Sequence, residues 1–548
     1  MNARFGTAAL VIMTVFGVLL FASRETTTQG TSCFVTTFEG DVQGMNLGAS
    51  CVFLGIPFAA PPVGSLRWKP PQPAASWAPA TLNATATPPN CPQVNPPGST
   101  GTAGNENCLR LNIWTPNPAP TGPAPVIVWI HTGAFMAASA HLADSNPRNL
   151  VERTGAIVVA AYYRLGPFGF MGHPALTAED PAYPSSGNYG FLDQRAALAW
   201  VRDHIAAFGG DPNRVTIDGQ SAGGHSVSFH IASPGSAGLF DRAIMQSGYA
   251  SFRVPTLTDA EALGRDFAAK VGCTDPSHVL DCMRSKSTRD VLLGFGNGQQ
   301  EFVEHGRVAW GPVVDGLDIP DQPRALYERG MFNRVPLIVG STRDEGWIYA
   351  DRSFPAGLTA AQYEAAVEKE FGAGAPAILA QYPATDYATP KLALSQLTGD
   401  VEAVCEARRV ARLVERTRTP VYLYSFEREA DAVVRDLVIH GLDRNFVFGN
   451  NFGPPSNYVL NADDLALFGA IADYWTRFAA TGNPNGDADS AVHWPAYKHP
   501  NGQGRGADKY IVLDSPVRED KRLREHACDF WEPFFLGSVA GSVPASGR

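Results

Sequence analysis

Seven short apolar runs recur along the chain: Pro125 to Ile130, Ala156 to Tyr163, Arg214 to Ile217, Arg242 to Ser247, Pro336 to Ser341, Val421 to Phe426 and Tyr510 to Asp514. Runs this short and this continuously apolar suit strands covered on both faces, and the helix-compatible stretches between them are the crossovers that parallel strands require. The pattern predicts an α/β fold, with a large central, mostly parallel sheet and helices on both faces. Between two of the runs, Leu198, Val201, Ile205 and Phe208 repeat at helical spacing, so "DQRAALAWVRDHIAAF" reads as an amphipathic helix that "GGDP" stops. Upstream, Cys33 to Pro73 reads as small strands and a proline-rich connection, the material of a small N-terminal β-sheet.

A chain of 548 residues can bury a substantial core, and its net charge of -10, with no long run of one sign, makes nucleic acid an unexpected partner. At the N-terminus Arg4 precedes an apolar stretch from Phe5 to Ala22, which reads as a signal peptide over residues 1–23; the same stretch can just span a bilayer, so an uncleaved anchor is the alternative. The expected products are a single mature domain over 24–535, secreted or periplasmic and without stable membrane insertion after cleavage. A disordered tail is expected over 536–548, where "GSVAGSVPASGR" lacks apolar anchors. Eight cysteines, an even number with no CxxC, favour disulfides over metal sites in an exported chain. Asn83-Ala84-Thr85 is the one glycosylation acceptor.

One of the strands runs into "VTIDGQSAGGHS", Val215 to Ser226. A serine boxed by Gly219 and Gly223 between β-branched and small residues fits a sharp strand-to-helix turn that lifts the Ser221 hydroxyl clear of the backbone, although a plain glycine turn has the same local pattern. Such a serine needs a base, a group to orient the base, and donors for an oxyanion. "HTGAF", His131 to Phe135, follows the first strong strand and can turn backbone N–H groups toward one point, with Ala222 adding another. Glu345 follows the strand "PLIVG", and His440 lies in "VIHGLDRNFVFGN". Each is bland alone, but the order Ser221, Glu345, His440 is that of nucleophile, acid and histidine on an α/β-hydrolase sheet.

From about Val35 to Phe535 the chain resembles the type-B carboxylesterase and cholinesterase family of α/β-hydrolases. "FLGIPFAAPPVGSLRW", "NENCLRLNIWTP", "YYRLGPFGF", "GNYGFLDQRAALAWVRDHIAAFGGDPNRVTIDGQSAGG", "GPVVDG", "DEG" and "HGLDRNFVFG" stand in that family's order. The resemblance implies Ser221 as nucleophile, Glu345 as acid and His440 as base, an oxyanion hole of Gly133, Ala134 and Ala222 N–H groups, and no metal or organic cofactor. It also implies the pairs Cys91 with Cys108, Cys273 with Cys282, and Cys405 with Cys528. Cys33 and Cys51 are left as a fourth bridge, if a short hairpin joins them, or as two free thiols. The implied activity is hydrolysis of small-molecule esters; a catalytically silent binding or adhesion protein, and an amidase or lipase on the same triad, are the alternatives.

Three departures bear on substrate. Gln220 stands where the family usually has a glutamate, and "HTGAF" where it usually has "HGGGF"; Ala134 keeps its N–H, though positive φ there would cost about 1 kcal/mol or more. The stretch between Cys91 and Cys108 has no aromatic residue. Gln220 and the aromatic-free stretch disfavour choline esters, and with Val94 as the only large apolar residue in that stretch, long-chain fats are disfavoured too.

Overall fold

The computed structural model describes residues 33–537 apart from 96–98, 249, 251–253, 295–309, 431–432, 487–491 and 500–507. The expected signal peptide lies outside these residues. So does most of the expected tail, whose first two positions belong to the closing helix Glu525–Gly537.

Eleven strands form the large sheet: β1 (Met45–Asn46), β2 (Ser50–Pro57), β3 (Arg110–Pro116), β4 (Ala124–Ile130), β5 (Ile157–Ala161), β6 (Gly210–Gln220), β7 (Arg242–Gln246), β8 (Leu337–Thr342), β9 (Val421–Phe426), β10 (Lys509–Leu513) and β11 (Arg518–Lys521). Their order is β1-β2-β3-β5-β4-β6-β7-β8-β9-β10-β11. The seven strands from β5 to β10 are parallel, and these carry the seven apolar runs. Every residue of β5, β8 and β9 is buried, as strands covered on both faces must be. Strands β1, β2, β3 and β11 are antiparallel additions at the two edges. A separate three-stranded sheet, Phe34–Thr37, Gly40–Gln43 and Thr81–Asn83, is the small N-terminal one.

Strand order reverses once, at β5-β4-β6. The chain leaves β4 toward one side of the sheet and leaves β6 toward the other, which opens a crevice at their carboxyl ends. Helix α1 (Tyr189–His204), continued by a 3₁₀ turn Ile205–Phe208, precedes β6, and Leu198, Val201, Ile205 and Phe208 are all buried. Helix α2 (Ala222–Ala232) follows β6 directly, and helix α3 (Ala462–Thr481) also packs on β4 and β6.

Four disulfides join Cys33 to Cys51, Cys91 to Cys108, Cys273 to Cys282 and Cys405 to Cys528. Cys33 directly precedes the first strand of the small sheet and Cys51 lies in β2. That bridge therefore ties the two sheets together rather than closing the hairpin the sequence suggested. Cys405 and Cys528 sit in a second, smaller core with Tyr363, Val367, Ile378, Leu397 and Trp531.

Candidate active site

The turn at Ser221 is built by contact. A Cβ on Gly223 would lie 1.9 Å from the Ile130 carbonyl oxygen at the end of β4, and one on Gly219 would lie 2.5 Å from the Gly223 carbonyl. Glycine at both positions lets strand β6, helix α2 and the loop after β4 meet around one residue. Ser221 itself has φ 57° and ψ -120°, held by its N–H donating to Gln246 O (3.0 Å) and its C=O accepting from His225 N–H (2.7 Å).

The loop after β4 also carries left-handed backbone, with φ 54° at Ala134 and 61° at Phe135. Met136 and Ala137 N–H both donate to Gly133 O, curling the loop. Among the described residues, the N–H groups of Gly133, Ala134 and Ala222 donate to no protein acceptor. A site rich in unpaired, fixed donors is suited to an anion that forms only during reaction.

Glu345 and His440 meet across two strand ends. A bridge pairs Asp344 with Ile439, Asp344 N–H donates to Val438 O (2.9 Å), and Val438 N–H donates to the Asp344 carboxylate (2.8 Å). These bonds set the next residue of each loop, so that Nδ1 of His440 donates to Glu345 Oε2. Glu345 is fully buried; its other oxygen accepts from Ser247 Oγ (2.5 Å) and Thr342 N–H (2.8 Å). Burial pushes its carboxyl up, but the adjacent imidazole and these donors outweigh it and hold the group below the usual carboxylate range. An ionised Glu345 keeps the His440 proton on Nδ1 and leaves Nε2 as the basic nitrogen.

Nε2 of His440 faces Gln220 Nε2 at 3.2 Å, and no hydrogen bond joins it to Ser221 among the described residues. Resting hydrolase sites often have this looser serine contact. Two other histidines lie near the turn. Burial pushes His131 and His225 down to about 4, keeping both neutral, and their Nδ1–H groups donate to the Thr132 and Ser221 carbonyls.

Sequence reasoning missed three supports. Ser247 is visible only as the polar end of an apolar run, and Asp344 only as the neighbour of Glu345. Gln93 carried no signal: it is buried in the Cys91–Cys108 segment, and its amide donates to Ala138 O (2.9 Å) and accepts from Ala138 N–H (3.0 Å). This clamps that segment to the loop of Gly133 and Ala134.

The arrangement can activate a hydroxyl, relay its proton and receive an oxyanion, the requirements of acyl transfer. Residues 31–531 match the carboxylesterase family. Over 540 residues the chain is 34% identical to acetylcholinesterase from Bungarus fasciatus, covering 91% of this chain and 86% of that protein. The protein therefore belongs to the carboxylesterase family, within its type-B carboxylesterase and cholinesterase branch, and is a serine carboxylic ester hydrolase.

Proposed function

We propose that this esterase is secreted and cleaves small to medium neutral esters through an acyl-enzyme on Ser221. Ser221 Oγ attacks the ester carbonyl while His440 Nε2 takes its proton, and the N–H groups of Gly133, Ala134 and Ala222 stabilise the tetrahedral oxyanion. His440 then protonates the departing alcohol, and water repeats the sequence to release the acid. Glu345 stays ionised throughout and holds the imidazole. The observation that carries this reading is the buried Glu345 bonded to His440 beside the strained Ser221 turn. Secretion is supported by the N-terminal apolar segment together with four disulfides.

The neutral-ester preference rests on what surrounds the site. The Cys91–Cys108 segment pairs Gln93–Val94 with Thr102–Ala103 and has no aromatic side chain. Trp129 and Phe135 are each 1% exposed, packed on Phe448 and Phe170, and the Trp347 ring is covered by the Lys391 ammonium 4.8 Å from its centroid. Trp129 and Phe135 offer no free face to a quaternary ammonium, a contact worth up to about 2 kcal/mol when desolvated, and the Trp347 ring already holds a cation on one face. The resemblance to an acetylcholinesterase makes a choline ester the informative control. In a panel of nitrophenyl esters from acetate to palmitate with butyrylcholine included, kcat/KM for the neutral butyrate is expected to exceed that for butyrylcholine by about tenfold or more. Equal or better cleavage of butyrylcholine would show that another cation site exists.

A further inference from the structure

We infer that Gln220 is a positioning residue for His440, holding the Nε2 edge of the imidazole in the resting enzyme and releasing it to Ser221 as substrate enters. The inference rests on His440 acting as the base. Gln220 is 1% exposed, so its amide is buried within the turn that carries Ser221. Its Nε2 lies 3.2 Å from His440 Nε2. A hypothetical Cβ on Gly441, the next residue, would lie 3.4 Å from the same amide nitrogen, so the amide is packed along the backbone that carries the histidine.

The chemistry of the two ends agrees. Nδ1–H donates to Glu345, so the Nε2 lone pair needs a donor, and the amide N–H is one. With His440 bonded at both nitrogens, its ring plane and tautomer are set before substrate arrives. The partner at Nε2 is a neutral amide, which can yield to a serine hydroxyl without leaving a buried charge unpaired. A carboxylate at this position would form a charge-assisted bond to imidazolium and oppose the base form.

The charged and titratable groups around the ring come from every neighbouring element. Glu345 lies at Nδ1, Asp443 and Arg444 follow on the helix Asp443–Phe448, His225 lies on α2, and the Tyr349 ring centroid is 6.3 Å away. Glu345 is held ionised beside the ring, so a carboxylate at residue 220 would place a second negative charge against the imidazole.

The test is the pH dependence of kcat/KM for a nitrophenyl butyrate in two variants of the full chain. Gln220→Glu should move the acidic limb upward by half a pH unit or more. Gln220→Met, similar in volume but without a donor, should lower kcat by at least threefold with KM changed less than twofold and no upward movement of the limb. Either variant failing to fold leaves the other as the test. Variants that fold, label stoichiometrically with an organophosphonate, and keep the wild-type limb and kcat would overturn the inference. His440→Gln separates this from the underlying reading: retained turnover there refutes His440 as the base, whereas lost turnover beside unaltered Gln220 variants refutes only the role of Gln220.

Discussion

Ser221 occupies a backbone conformation that costs on the order of 1 to 3 kcal/mol, and Ala134 and Phe135 add left-handed strain beside it. Such strain persists where surrounding bonds over-determine it, as the Gln246 and His225 contacts do here. Glu345 is the most constrained side chain of the group, with no exposure and partners on both oxygens. Replacing it with glutamine keeps the shape but removes the charge that holds the His440 proton on Nδ1. Glu345→Gln is therefore expected to fold normally and to lose about 10³- to 10⁴-fold in kcat, by analogy with loss of the acid in the Ser-His-Asp template. Steady-state kinetics beside a thermal melt checks this, and a folded variant with near-wild-type turnover would assign the role to another carboxylate.

At the scale of elements, the proposed site is assembled from loops at the carboxyl ends of parallel strands. Strand β6 supplies Ser221, the loop after β4 supplies Gly133 and Ala134, and the loop after β8 supplies Glu345. His440 comes from a longer excursion after β9, brought back by the Asp344 to Ile439 bridge. The Cys91–Cys108 segment belongs to neither sheet, yet the Gln93 clamp makes it a buttress of the donor loop. Gln93→Ala removes both bonds and leaves the Ala138 peptide groups to find other partners. Oxyanion donors act through placement, so kcat is expected to fall by about tenfold while KM changes by less than about twofold. An unchanged kcat in a folded Gln93→Ala protein would show that the donor loop holds its shape without the clamp.

Across the whole molecule, the core buries two carboxyl groups that no arginine or lysine bonds among the described residues. Asp218 lies in β6, its Oδ1 accepting from Gln246 Nε2 (2.7 Å), and Asp443 begins the helix after His440. Burial pushes Asp218 up to about 7 and Asp443 up to about 6. Below about pH 4 an aspartate is protonated whether the chain is folded or not, so neither group makes stability vary there. From about pH 4 up to about 6 for Asp443 and about 7 for Asp218, the unfolded chain gives up the proton while the folded protein keeps it, so stability falls as pH rises. Above about 7 the loss is complete, on the order of 3 to 5 kcal/mol for Asp218 at about 1.4 kcal/mol per pH unit. Asp218→Asn cannot ionise, so the decline of Tm between pH 4 and 7 should be shallower than in wild type. Parallel Tm profiles for the two proteins would refute the buried-acid account.

Much of this protein follows from sequence alone, because strands buried on both faces must be short and apolar and crossovers must be helical. The seven runs became the seven parallel strands. The edge strands β1, β2, β3 and β11 did not stand out, since antiparallel strands at a sheet margin need no continuous apolar run and their hydrogen-bond partners lie far along the chain. The proposed nucleophile Ser221 stands out in sequence by its flanking glycines, whose contacts are local, and the proposed partners Glu345 and His440 by chain order and the family motifs around them. What only tertiary structure decided is the pairing of side chains brought together by folding. Gln220 reads in sequence as a lost charge beside the serine, and only the fold turns its amide onto an imidazole 220 positions away. Gln93, Ser247 and Asp344 act through hydrogen bonds to distant residues, and such bonds leave no periodicity for a sequence to display.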